Sequence, residues 1–285
     1  MAIGEMPKRP YKDDVMLSVI GLGGVVLMGE SQNEADRLVA EAVKQGVNYF
    51  DVAPTYGDAE ERLGPALEPY REGVFLACKT TKRDAKGARE ELERSLQRLR
   101  TEIVDLYQFH GIGSMQDVEQ ILAPDGAGEA FLEARRRGRV RYLGFSAHAE
   151  EPALALMDRF PCDSVLFPIN YVCYAHGSFG SRVLEHARRK GMARLAIKAL
   201  ARTRRGKGDD KAFPKCWYRP VSEPDAAKQA LRFTLSQDVT AAVPPGDPSL
   251  YRLCLSLAPE CTPLTPQEQK ALLASAKDIA PIFPH

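Results

Sequence analysis

Eight short apolar runs, most of them about 30 residues apart, alternate with amphipathic stretches along nearly the whole chain, at the spacing of one strand–helix unit. The runs are Ser18–Gly21, Val47–Val52, Val74–Thr80, Asp105–His110, Val140–Ser146, Ser164–Asn170, Ala193–Leu200 and Thr240–Pro244. They are too short and too continuously apolar for a sheet with one face in water. Helix signals fill the gaps between them. Ser31-Gln32-Asn33-Glu34 opens a helix that Gly46 closes, and Asp84 precedes Ala85–Arg100, whose Leu92, Leu96 and Leu99 share one face. Gly138 and Gly191 end the helices over Gly126–Arg137 and Phe179–Lys190, and Pro224 starts Ala226–Gln237 from a tolerated first-turn position.

This order predicts an α/β fold: a single (β/α)8 barrel of the TIM type as one domain over 1–285. The barrel covers about 18–257, and a C-terminal helical extension over about 258–285 rests on Leu264–Ile282, entered by Thr265-Pro266-Gln267-Glu268. A doubly wound open sheet is the rival. It would carry G-x-G-x-x-G after its first strand, and Gly21-Leu22-Gly23-Gly24 lacks that spacing.

Of the 285 residues, 44% are hydrophobic and 27% charged, enough for a full core. The formal net charge of +1 offers no global field to nucleic acid or an acidic membrane. No apolar run is long enough to span a bilayer, and Met1–Asp14 has no signal-like apolar segment, so a cytoplasmic location is expected. The six cysteines form no C-x-x-C pair, which points to buried thiols rather than a disulfide or metal framework. No metal site is expected.

Asp51, Lys79 and His110 each stand at the C-terminal end of an apolar run, and Tyr56 follows in the loop after the first. If those runs are parallel neighbours, a carboxylate, an ammonium, an imidazole and a phenol meet at one rim of the barrel, where active sites of this fold lie. A buried cation beside a phenol favours phenolate, which makes the tyrosine a usable proton donor near neutral pH. Singly, each residue has a plainer reading, as a helix cap or a solvated charge. Their placement on consecutive strands favours chemistry.

The segments Phe50-Asp51-Val52-Ala53-Pro54-Thr55-Tyr56-Gly57 and Glu60-Glu61-Arg62-Leu63-Gly64 resemble the signature of the aldo-keto reductase family. Cys78-Lys79-Thr80, Asp105–Gly111, Ser95–Leu99 and Gly138–Ser146 resemble further segments of that family, so the similarity runs from about Ser18 to about Ser256. The resemblance implies NAD(P)H-dependent reduction of an aldehyde or ketone. Tyr56 is then the general acid, Lys79 lowers its pKa, Asp51 holds Lys79, and His110 orients the carbonyl oxygen. It also implies cofactor contacts from Ser146 and Asn170 to the nicotinamide carboxamide, and from Lys198 to a pyrophosphate. Gly246 would make an anion-receiving turn, and Arg252 would face a 2′-phosphate. NADP(H) is expected ahead of NAD(H).

Ala196-Ile197-Lys198-Ala199-Leu200 resembles a branch with Lys, rather than a stacking Tyr, at the end of strand seven. Ala147 and Pro245 stand where many relatives have Asn and Lys. These departures keep open a nicotinamide-binding sensor or regulatory barrel with vestigial turnover. In the basic segment Ala201–Val221, Arg202–Lys211 is expected to be a mobile loop and Trp217 to line the substrate pocket, as is His148 after strand five. The expected partner is a small carbonyl compound. Oligomeric state is left open.

Overall fold

Apolar residues two apart on each run need partners on both faces, and parallel strands with helices outside supply them. In the computed structural model, described over residues 5–206, 208 and 212–283, the chain opens with an antiparallel hairpin, β1 (Lys8–Lys12) and β2 (Val15–Ser18). Then follow β3 (Leu22–Gly23), α1 (Gln32–Lys44), β4 (Tyr49–Asp51), α2 (Ala59–Leu67), β5 (Phe75–Thr80), α3 (Ala85–Arg98) and β6 (Val104–Ile112). Next come α4 (Met115–Leu122), α5 (Ala127–Arg136), β7 (Val140–Ala147), α6 (Glu150–Arg159), β8 (Ser164–Pro168), α7 (Tyr171–Ala175), α8 (Ser181–Arg189) and β9 (Ala193–Ile197). The chain continues with β10 (Ala201–Arg204), β11 (Tyr218–Pro220), α9 (Pro224–Leu235), β12 (Ala241–Val243), α10 (Pro248–Leu257) and α11 (Pro266–Ser275).

The eight-stranded parallel sheet has the order β12-β9-β8-β7-β6-β5-β4-β3. A parallel bridge between Ile20 and Ala242 joins its two ends, with Ala242 N donating to Val19 O at 2.8 Å, so the sheet closes into a (β/α)8 barrel. Strand alternation sorts the side chains. Tyr49, Phe75, Ala77, Leu106, Leu166 and Leu195 fill the barrel interior, while Phe50, Leu76, Tyr107 and Phe109 pack outward into the larger core beneath the helices. Helix starts follow local chemistry: Ser31, Asp84 and Asp247 accept from backbone amides of α1, α3 and α10, and Ser114 and Thr265 form capping boxes.

Several expectations are corrected. The polar N-terminus forms the β1–β2 hairpin, which plugs the floor of the barrel: Tyr11 packs on Phe75 and Tyr142 and donates to Ser164 Oγ at 3.0 Å. The first barrel strand is Leu22–Gly23, so Ser18 belongs to the hairpin instead. Strand six stops at Pro168, and Asn170 begins α7 as its N-cap. Strand seven stops at Ile197, because Lys198 takes a left-handed conformation with φ of 67°. Arg202–Arg204 is not loop but part of β10, paired with β11; the remainder of the expected mobile loop includes Lys207, Asp209, Asp210 and Lys211, which lie outside the described residues. The C-terminal helix is shorter than expected, and after Ser275 the chain returns to the barrel mouth.

Candidate active site

The C-terminal ends of the strands surround a cavity of about 400 Å³, lined among others by Asp51, Tyr56, Lys79, His110, Ser146 and His148. Parallel register explains the gathering. Asp51 pairs with Ala77, and Lys79 with Gln108, so inward positions of β4, β5 and β6 step around the barrel at nearly one height. Tyr56 arrives by a tight turn in which its amide donates to Ala53 O at 3.0 Å, just before α2. Glu60 fixes that helix by accepting from Arg98 at 3.1 Å and from the Cys78 thiol at 3.4 Å.

Lys79 is fully buried. Its ammonium donates to Asp51 Oδ1 and to Val52 O (3.1 Å), and Nζ lies 5.1 Å from the centre of the Tyr56 ring. Burial pulls the Lys79 pKa down, but Asp51 and Tyr56 outweigh it and hold the ammonium above its ordinary value. The other Asp51 oxygen accepts from Gln108 Nε2 at 3.0 Å and from the Tyr49 hydroxyl at 3.3 Å. For Tyr56, burial raises the pKa, Lys79 lowers it, and Asp51 raises it further, with a net rise. The expected Lys79 pull on the phenol is therefore present but incomplete in the free chain, because a half-buried phenolate loses more hydration than one ammonium returns.

His110 meets Tyr56 edge to face, with ring centres 5.6 Å apart, and its Nδ1 lies 3.4 Å from Thr55 Oγ1. Burial, and then the charges of Lys79, His148, Arg83 and Lys198, push its pKa down to about 3. His110 is thus neutral at ordinary pH, with one N–H to donate. His148 is held down to about 4 by burial and by Lys198.

Ser146, Lys198, Gly246, His148 and Trp217 all lie on the cavity wall. Ser146 Oγ accepts from Gly111 N at 2.8 Å. Asn170 and Arg252 stand elsewhere. The Asn170 side chain accepts from Cys173 N at 2.9 Å as the cap of α7, and Arg252 is paired with Glu41 (2.9 Å) and Glu34 (3.2 Å). The structure adds residues that sequence reading missed. Gln108 and Tyr49 grip Asp51; both occupy inward positions, two residues from a tetrad member, and strand alternation alone signals them. Phe283 also lines the cavity, stacked on His148 with ring centres 5.1 Å apart, and no sequence pattern announces it. Lys215 reaches the same wall, donating to Val26 O (2.8 Å) and Glu30 (2.7 Å). Among the described residues, no cluster of His, Cys, Asp and Glu could hold a metal, and no helix is long and apolar enough to cross a membrane.

A closed barrel with Asp, Tyr, Lys and His at its mouth defines a class, and the chain matches the model of the aldo/keto reductase family over residues 19–252; it belongs to that family. It is 34% identical over 149 residues to the oxidoreductase YqkF of Bacillus subtilis, covering 47% of this chain and 46% of that protein. It is 30% identical over 168 residues to the aldo-keto reductase YhdN of the same organism, covering 54% and 49%. The aligned part of the chain thus spans about half the length of these curated relatives. Among solved structures, the aldo-keto reductase AKR11C1 from Bacillus halodurans in its holo form shares the fold, with a TM-score of 0.73 and 24% identity over 98% of each chain.

Proposed function

We propose that this protein reduces an aldehyde or ketone to an alcohol with NADP(H), ahead of NAD(H), and that Tyr56 supplies the proton. One observation carries the reading: a fully buried Lys79–Asp51 ion pair lies beneath the Tyr56 ring in a cavity shared with His110. The residues on the wall suit a nicotinamide cofactor. Leu166, Ile197 and Val243 offer an apolar surface, and the Ser146 hydroxyl, positioned by Gly111 N, keeps its own proton to donate to a carboxamide. At Gly246 a Cβ would strike Val25 Cγ1 at 2.3 Å, so only bare backbone can line the wall there. A bound NAD(P)H supplies hydride to the carbonyl carbon.

The chain's own residues then handle the oxygen. Neutral His110 donates a hydrogen bond to the carbonyl oxygen and fixes its lie. Tyr56 transfers its hydroxyl proton to that oxygen as negative charge grows there. Lys79 stabilises the phenolate left behind, and Asp51, gripped by Gln108 and Tyr49, keeps Lys79 charged and aimed. Asn170 supports the rim through its cap on α7, and Arg252 would meet a 2′-phosphate only by leaving Glu34 and Glu41.

Titration with NADPH and NADH, read through the chain's single tryptophan, Trp217, should show binding of both with NADPH tighter, and Arg252→Ala should narrow the gap. Adding 4-nitrobenzaldehyde to the NADPH complex should oxidise the cofactor. Failure to bind either nicotinamide would contradict the reading. Binding without oxidation across a panel of aldehydes and ketones would favour a sensor or regulatory barrel.

A further inference from the structure

Three lysines, Lys79, Lys198 and Lys215, bring an ammonium to the cavity wall, and they differ in their partners. Lys79 faces Asp51 and Lys215 faces Glu30, whereas the Lys198 amine has no hydrogen bond or ion pair to any described residue. Its Nζ instead rests 5.3 Å from the Trp217 ring centre and 5.0 Å from that of Tyr218, contacts that steady a cation without neutralising it. The backbone at Lys198 is left-handed, with φ of 67°, a conformation that disfavours a β-carbon residue and turns the side chain off the line of β9. The turn is held by Ala201 N donating to Lys198 O at 2.9 Å.

Among the described residues, no spare carboxylate answers this charge. Asp51 is the acidic residue on the cavity wall and is consumed by Lys79, while Lys215 already pairs with Glu30. Nearby Asp247 caps α10, accepting from Ser249 N at 2.9 Å. Lys198 shares the cavity wall with Asp51, Tyr56, Lys79 and His110. The Trp217 ring beneath its amine touches Phe283 (5.9 Å), Phe283 stacks on His148 (5.1 Å), and the Lys198 charge helps to hold both His148 and His110 neutral. Burial lowers the Lys198 pKa to about 8, which leaves it largely protonated at neutral pH.

We propose that Lys198 is the specificity-determining residue of the carbonyl-binding chamber and that the substrates are aldehydes or ketones bearing a carboxylate. This rests on the reductase reading above. An ammonium with no carboxylate partner among the described residues matches one singly charged group, and the Trp217, Tyr218 and Phe283 rings give the rest of the molecule an apolar wall. Lys198 therefore serves the substrate end of the chamber, rather than the pyrophosphate that the sequence suggests for it.

The test compares 4-carboxybenzaldehyde with its methyl ester, methyl 4-formylbenzoate, at saturating NADPH, since the two share an aldehyde and differ in charge. The wild-type protein should favour the acid in kcat/KM by about tenfold or more, the scale of one charge-assisted hydrogen bond. Lys198→Met should collapse the acid-to-ester ratio to within about twofold, and Lys198→Arg should keep part of it. A wild type that does not prefer the acid overturns the proposal without any variant. So does a Lys198→Met protein with an unchanged ratio; if NADPH affinity also falls, the amine belongs to the cofactor's pyrophosphate. Should neither these aldehydes nor any member of the wider panel oxidise NADPH, the reductase reading fails. Calorimetric Kd values for acid and ester on the NADPH complex then decide the anion site separately, by the same ratio.

Discussion

Lys79 is tolerated inside the barrel because Asp51 and the Val52 carbonyl face its ammonium, and removing it would strand a carboxylate in the same dry space. Lys79→Met should therefore destabilise the fold by about 3–5 kcal/mol in urea denaturation, while Asp51→Asn combined with Lys79→Met should recover much of that loss. The histidines give a pH signature. His110 and His148 have folded pKa values of about 3 and about 4, below their ordinary 6.5, so the unfolded chain binds more protons between those limits. Their share of stability is complete above about pH 6.5 and is lost as pH falls towards 4 and 3. Urea midpoints across this window should drop more steeply for wild type than for His110→Gln/His148→Gln; equal slopes would contradict the burial inferred for the two rings. At this scale the gathering of four side chains was legible because Asp51, Lys79 and His110 each close an apolar run and Tyr56 follows the first of them. Phe283 was not, because its place at the mouth depends on where the chain goes after α11.

The elements show where local pattern suffices. The boundaries of α1, α3 and α5 lie within two residues of those read from caps and apolar spacing, since the signals that set them are local. The hairpin β1–β2 carries no such signal: Lys8-Arg9-Pro10-Tyr11-Lys12 reads as solvated, and the strand exists because Tyr11 finds Phe75, Tyr142 and Ser164 from distant strands. Likewise β10 pairs with β11 only after an intervening excursion, so a basic, glycine-containing stretch read as loop became sheet in part. Tyr11→Ala should cost about 3–5 kcal/mol by opening a void at the barrel floor. NADPH affinity at the opposite end should stay within about twofold. A loss of cofactor binding equal to the loss of stability would mean that floor and mouth are not mechanically separate.

Across the whole molecule, closure converts a repeat into a site. The bridge from Ile20 to Ala242 brings β3 beside β12, so Gly23 and Val243 complete a mouth that β4, β5 and β6 begin. The repeat itself was legible, as was the rim that would carry chemistry. What the linear pattern could not give was which way Lys198 turns, or that Arg252 is already held by two carboxylates, because both depend on neighbours from other units. If the phenol of Tyr56 delivers the proton, one substitution isolates that role. Tyr56→Phe removes a single oxygen, so NADPH should bind with a Kd within about twofold of wild type while turnover of a reactive aldehyde falls by about 10²–10⁴-fold. Turnover that survives with cofactor bound would show that the proton comes from another group, and the account of this site would be wrong.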